Sequence, residues 1–310
     1  MPDTTTDPAE NRQRLGPATP AHILTRRRLY IDVQHGLCNR LRAMASAAVI
    51  AARTDRALVV IWRTDHHCEA RISDLLRHTD PVIEDDDIAD LLRSRSARVY
   101  NYMEIEPGAR FQEPILAAGD AVEGDVYIRS AYTLTSPHRD AEGERRYLRT
   151  LLPAEPVCEL LSQVRIRSDV AAHIRMATGE RFDHLPHESP ANWPAHRHRE
   201  LADWRRKSHA DRFIARLDAL IAEGAVETIF LAADLQETYA RFAERYGDRL
   251  AWLERDLFDR SPRQLQYALA DLMLLATGRR LLASSWSSFS EVAERIGPRG
   301  RRVERSGIDF

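Results

Sequence analysis

Residues 29–62 read LYIDVQHGLCNRLRAMASAAVIAARTDRALVVIW, and the change of period within this stretch decides the fold class. LYIDV at 29–33 and ALVVIW at 57–62 are short runs of β-formers. Between them Leu41, Met44, Ala45, Ala48, Val49 and Ala52 recur at helical spacing. Strand, helix and strand in so short a span make one βαβ unit. The alternation continues more weakly, with a helix around 88–92, strands near 98–102 and 125–128, and a helix around 145–151.

A second series begins near residue 166. VAAHIR at 170–175 reads as a strand, followed by a long polar loop and a helix over about 208–223. TIFLAA is the next strand, then come a helix over 237–246, a short strand RLAWL, a helix over 264–277, the strand LLAS and a last helix over 289–296. Strands alternating with helices predict an α/β chain with parallel, doubly wound sheets. Two such series predict two Rossmann-like domains facing a central cleft, at 26–165 and 166–310, with the boundary near 153–167. Residues 1–25 read as a disordered tail.

With 310 residues and 44% hydrophobic content, the chain has the material for a real core. Its 45 basic and 47 acidic residues leave a formal charge of -2, so no global field draws it to nucleic acid or an anionic membrane. Lys207 is the only lysine and follows no glycine-rich loop, which argues against a phosphate-loop enzyme. Cys38, Cys68 and Cys158 are too scattered for a disulfide framework or a zinc ribbon. The N-terminus has no apolar core, and no apolar run is long enough for a membrane span, so a cytoplasmic protein is expected.

Four places can carry chemistry. The loop QHGLCNR, residues 34–40, leaves the first strand where open α/β sheets bind ligands. Gly36 permits a tight turn there, and Asn39 suits a helix N-cap. The fingerprint G-x-G-x-x-G is absent, which weakens a dinucleotide-dependent oxidoreductase. In VAAHIR, the period of two puts His173 and Arg175 on one face. Arg175 can grip a phosphate bidentately, or it can be a solvated edge-strand arginine beside a satisfied core histidine. The polar loop that follows carries Asp183, His184 and Glu188 as candidate general bases, and its histidines fit no zinc spacing.

Asp234 ends the strand TIFLAA and can accept from a base edge or a ribose, or simply start a helix. In SSWSSFSEV at 284–292, Ser288 and Glu291 have the spacing of a capping box. Ser284, Ser285 and Ser287 then remain unexplained at a helix N-terminus, a place that favours an anion. EDDD at 84–87 suits the start of a helix, and HHC at 66–68 a solvated loop.

Taken in order, these segments resemble the fucosyltransferase-like superfamily of glycosyltransferases, which includes bacterial nodulation-type fucosyltransferases and protein O-fucosyltransferases. GLCNRLRAMASA resembles its first motif, HIR its H-x-R motif, FLAAD its strand ending in an acidic residue, and ALADLMLLATGRRLLASSWSSFSEVA its C-terminal motif. The resemblance covers residues 29–62 and 168–297 and implies a GT-B-type fold. It implies GDP-fucose as donor, held mainly by the C-terminal domain, a glycan or small acceptor entering from the N-terminal one, and no obligatory metal.

The resemblance also implies roles for particular residues. Arg175 would meet the donor diphosphate and lead catalysis, with His173 beside the donor. Ser287, Ser288 and Phe289 would meet the phosphates and the sugar-proximal end, and Asp234 and Asp271 would contact the nucleotide. Gly36, Asn39 and Arg40 would approach the donor from across the cleft. Two positions depart from the pattern: Cys38 replaces a small glycine, and Met176 stands where a second basic residue is usual. A noncatalytic nucleotide-sugar or glycan-binding protein on the same scaffold is the alternative.

Overall fold

A computed structural model describes residues 27–117, 122–164, 167–256 and 258–310, so the expected tail at 1–25 lies outside the described residues. The first half runs β1 (Arg28–Val33), α1 (Leu37–Arg53), β2 (Ala57–Ile61), α2 (Ile72–Leu75), β3 (Val82–Ile83), α3 (Asp86–Arg95), β4 (Arg98–Asn101), β5 (Val126–Ser130), α4 (Ala141–Thr150) and α5 (Glu155–Ser162). The second runs β6 (Val170–Ile174), α6 (Glu180–Asp183), α7 (Ala195–Lys207), α8 (Ala210–Ala222), β7 (Ile229–Ala233), α9 (Gln236–Tyr246), β8 (Leu250–Ala251), α10 (Pro262–Thr277), β9 (Arg280–Ala283), α11 (Ser288–Ile296) and β10 (Arg302–Arg305).

Each half builds one parallel five-stranded sheet, ordered β3-β2-β1-β5-β4 and β10-β9-β6-β7-β8. This is the expected pair of Rossmann-like sheets. In each sheet the first strand lies at the centre, because the chain winds outward to one side and then returns to the other. The strand order therefore reverses beside β1 and beside β6. At such points the loops leaving the carboxyl ends diverge and open a crevice.

Burial follows the side-chain period. On β6, Ala171 faces the large core shared with β1 and α1, while Val170, Ala172 and Ile174 face the smaller core under α8 and α9. Because β6 is buried on both faces and paired on both edges, it is not the edge strand that a solvated arginine would need. The large core continues through both halves: α10 packs on α2 and α5, and α11 on α1 and α4. The three cysteines are unpaired, and among the described residues no helix is long and apolar enough to cross a membrane.

Several elements were not anticipated. The short α2, β3 and α6 and the strand β10 have too few apolar residues to show a period. α7 lies inside the expected polar loop, and none of its residues is buried, so it has no apolar stripe to read. α5 falls in the expected boundary region, with its first turn opened by a proline.

Candidate functional site

The crevices beside β1 and β6 open into one cavity of about 1020 Å³. One wall is made by the segments leaving β6, β7 and β9, and the other by the β1–α1 loop with Glu104, Phe111 and Tyr132. Trp193, Arg197, Trp204 and Arg205, in and before α7, line it as well.

At the end of β6 the chain is tied to its neighbours. Ser284 accepts from the Arg175 backbone N–H at 2.8 Å and donates to the His173 carbonyl at 2.8 Å, which fixes the β9 loop to β6. His173 is buried, its Nδ1 is 2.8 Å from the Ser290 hydroxyl, and its ring stacks on Phe289 at 4.7 Å. Burial lowers the imidazole to about 3, so it is neutral. The satisfied-histidine reading therefore holds for His173, which nonetheless borders the cavity.

Arg175 donates to Asp234 at 2.6 Å and to Glu188. Burial opposes its charge, but the two carboxylates outweigh burial and raise its pKa. Asp234 also accepts from the backbone N–H groups of Met176 and Ala177, at 3.1 and 2.8 Å. Its carboxylate thus orients Arg175 and the turn after β6 while it lines the cavity. Glu188 is no free base. Burial pushes its carboxyl up, but Arg175, Arg205 and Arg260 prevail and hold it at about 2. Asp183 does not line the cavity; it lies 3.8 Å from His198 on α7.

The serine stretch resolves differently from its capping-box reading. Trp286 takes a left-handed φ of 56° and is 49% exposed, unusual for a bulky residue and costly unless its surroundings impose it. That turn makes Ser287 the N-cap of α11, accepting from Ser290 N–H, with Ser288 already helical. Glu291 does not reach back; it pairs with Arg42 of α1 at 3.0 Å and with Arg295 at 2.9 Å. Ser285 donates to the Ser306 carbonyl at 2.7 Å, so Ser284 and Ser285 are both structural. Ser287, Ser288 and Phe289 face the cavity at the positive end of α11.

Across the cavity, α1 is capped by Gly36, not by Asn39, which lies inside the first turn. The left-handed residue of that loop is His35, with φ 62°, while Gly36 has an ordinary φ of -67°. Gly36 and Asn39 line the cavity; Arg40 does not. The Arg40 side chain is wholly buried, so it cannot approach a ligand in the cleft as expected. His35 and His67 pack at 4.7 Å; burial, then His67 and nearby arginines, lower His35 to about 3, and burial, then His66 and nearby arginines, lower His67 to about 4.

Asp271 on α10 borders the cavity and pairs with Arg255, whose guanidinium lies over the rings of Tyr239 and Tyr267. Burial pushes the Asp271 carboxyl up to about 6 against the pull of Arg255, and its Oδ1 has no partner. Sequence reasoning missed Arg205, Arg255 and Arg260. They sit in arginine-rich stretches where charge pattern alone singles out no position.

No protein-family model matches the chain, and no curated protein sequence matches it. Solved structures do. The fucosyltransferase NodZ from Bradyrhizobium superposes with a TM-score of 0.57 at 17% identity, over 88% of this chain and 95% of its own. A mutant of Arabidopsis thaliana FUT1 in complex with GDP gives 0.53 at 16% identity, over 89% and 71%. POFUT1 in complex with GDP-fucose gives 0.51 at 12% identity, over 91% and 98%. The chain therefore has the GT-B-type fold of these fucosyltransferases.

Proposed function

We propose that this chain is a cytoplasmic glycosyltransferase that moves a sugar, fucose from GDP-fucose, onto a hydroxyl of a glycan or small acceptor. One observation carries the reading: Arg175 beyond β6 and the N-terminus of α11 beyond β9 flank one switch-point crevice, and the β1–α1 loop faces them across the same cavity. The likeness to structures holding GDP or GDP-fucose supports the choice of donor.

In this reading the acceptor oxygen attacks the anomeric carbon and passes its proton to solvent. The bond from that carbon to the diphosphate breaks, and its electron pair leaves on GDP. The developing charge is met by the Arg175 guanidinium and by the free N–H groups at the start of α11. Those fixed charges do the work for which other enzymes use a metal, so no obligatory metal is called for.

The test is GDP release from GDP-fucose across a panel of glycan acceptors, with and without chelator. Wild type turns over equally in both, and Arg175→Ala is slower by about 10²- to 10³-fold. GDP binding without turnover on any acceptor would indicate a noncatalytic nucleotide-sugar-binding protein. Failure of GDP to raise the melting temperature would end the nucleotide-sugar reading.

A further inference from the structure

Three guanidiniums converge on Glu188 at the edge of the cavity. Arg175 and Arg205 donate to it, and Arg260 lies 3.5 Å away. They come from three separate parts of the chain: the end of β6, the last turn of α7 and the segment before α10. The other carboxylate of the cluster is Asp234, paired with Arg175 at 2.6 Å. Three positive charges thus face two negative ones, one of which is committed to Arg175 and the turn after β6.

The surplus is felt where it should be. Burial, and then the neighbouring Arg175, lower the pKa of both Arg205 and Arg260, the latter to about 10. Donor capacity is left over as well, since the Nε atoms of Arg205 and Arg260 are buried without a hydrogen-bond partner. A cluster built only for stability would match its charges and use its donors, because unpaired buried charge is costly.

We propose that Arg205 and Arg260 are phosphate-binding residues that complete, with Arg175, a three-guanidinium site for a diphosphate, and that Glu188 is the internal anion which that diphosphate displaces. The charges then balance. With Glu188 withdrawn, three guanidiniums and Asp234 leave two positive charges, which match the two negative charges of a sugar-nucleotide diphosphate. Guanidinium forks suit phosphate oxygens bidentately, and the idle Nε donors supply the additional bonds. Glu188 lies on the short segment between α6 and α7, so its carboxylate can leave without disturbing either sheet. This inference deepens the donor reading and rests on it for the diphosphate's identity, but the anion site stands on its own residues.

The experiment is calorimetric titration of the full chain with inorganic pyrophosphate and, separately, with GDP, using wild type, Arg205→Met, Arg260→Met and Glu188→Gln. Each arginine variant is expected to bind both probes about tenfold or more weakly, the worth of a charge-assisted hydrogen bond. Glu188→Gln is expected to bind both more tightly, a gain that misfolding cannot produce, and circular dichroism checks the fold of the arginine variants. Unchanged binding in the folded arginine variants, or weaker binding in Glu188→Gln, overturns the inference. Arginine-dependent binding of pyrophosphate without binding of GDP supports the anion site while ending the GDP-sugar reading. No binding of either probe by wild type ends both.

Discussion

Arg40 donates from Nε to the His35 carbonyl at 2.7 Å and from Nη1 to the Arg63 carbonyl at 2.6 Å, pairs with Asp65 at 3.0 Å and lies over the Trp62 ring. One side chain thereby ties the loop after β1 to the loop after β2 and holds His35 in its left-handed turn. Arg40→Met leaves two carbonyls without their donor and Asp65 without its cation, and we expect it to cost about 3 kcal/mol of stability in urea denaturation. Arg40→Lys loses most of the same, since an ammonium cannot span the fork. A stability loss below about 0.5 kcal/mol would show that the clamp is dispensable. The identity of this residue was legible in the motif, but its direction was not. Arg40 and Arg42 are two positions apart on α1, about 200° around the helix, so one points into the core and the other to the cavity. The partners of Asp234 and Glu188 were not legible for a related reason: a carboxylate at a strand end or in a loop looks the same in sequence whether it awaits a ligand or already holds an arginine.

The nine residues of α11 show how far the sequence specifies an element. Its existence and its end at residue 296 were readable. Its cap was displaced by one residue, because the cap depends on the left-handed turn at Trp286, and Glu291 was drawn off by Arg42 and Arg295. Ser287→Ala is therefore expected to cost about 1 kcal/mol, and Ser288→Ala less than about 0.5 kcal/mol, measured by urea melts of the two variants side by side. Equal losses would return the capping role to Ser288. α7 marks the opposite limit. It carries no buried residue, so nothing in its hydrophobic pattern distinguishes it from a loop, yet its last turn delivers Arg205 to Glu188. Elements that serve a cleft and not a core are the ones that period alone fails to announce.

At the scale of the molecule, two sheets are joined by α10 and α11, which belong to the second series in sequence but pack on helices of the first. The two βα series were legible from strand runs and helical spacing. The shared helical layer was not, because it depends on which outer faces of two separate units meet. Closing the cleft this way buries histidines along its walls, and that gives stability a definite dependence on pH. His173, His35 and His67 are held at about 3, about 3 and about 4 in the folded chain, below the ordinary 6.5. Their contribution is complete above pH 6.5 and is lost as pH falls, because the unfolded chain takes up protons that the folded one refuses. Asp271 acts in the opposite sense: raised to about 6, it favours the folded state increasingly as pH drops from 6 toward 4. His187, also lowered to about 4 chiefly by burial, joins the three histidines, so four histidines against one carboxyl leave roughly three protons, a loss on the order of 4 kcal/mol per pH unit between pH 6 and 5. Glu188, held at about 2, adds to the loss only below the ordinary carboxylate range near 4.5. Urea melts at pH 7, 6 and 5 measure the slope, and His173→Asn and His67→Asn should each flatten it by about one proton. A stability unchanged from pH 7 to 5 would mean that these imidazoles are hydrated and free to charge, and that the walls of the cleft are more open than their packing shows.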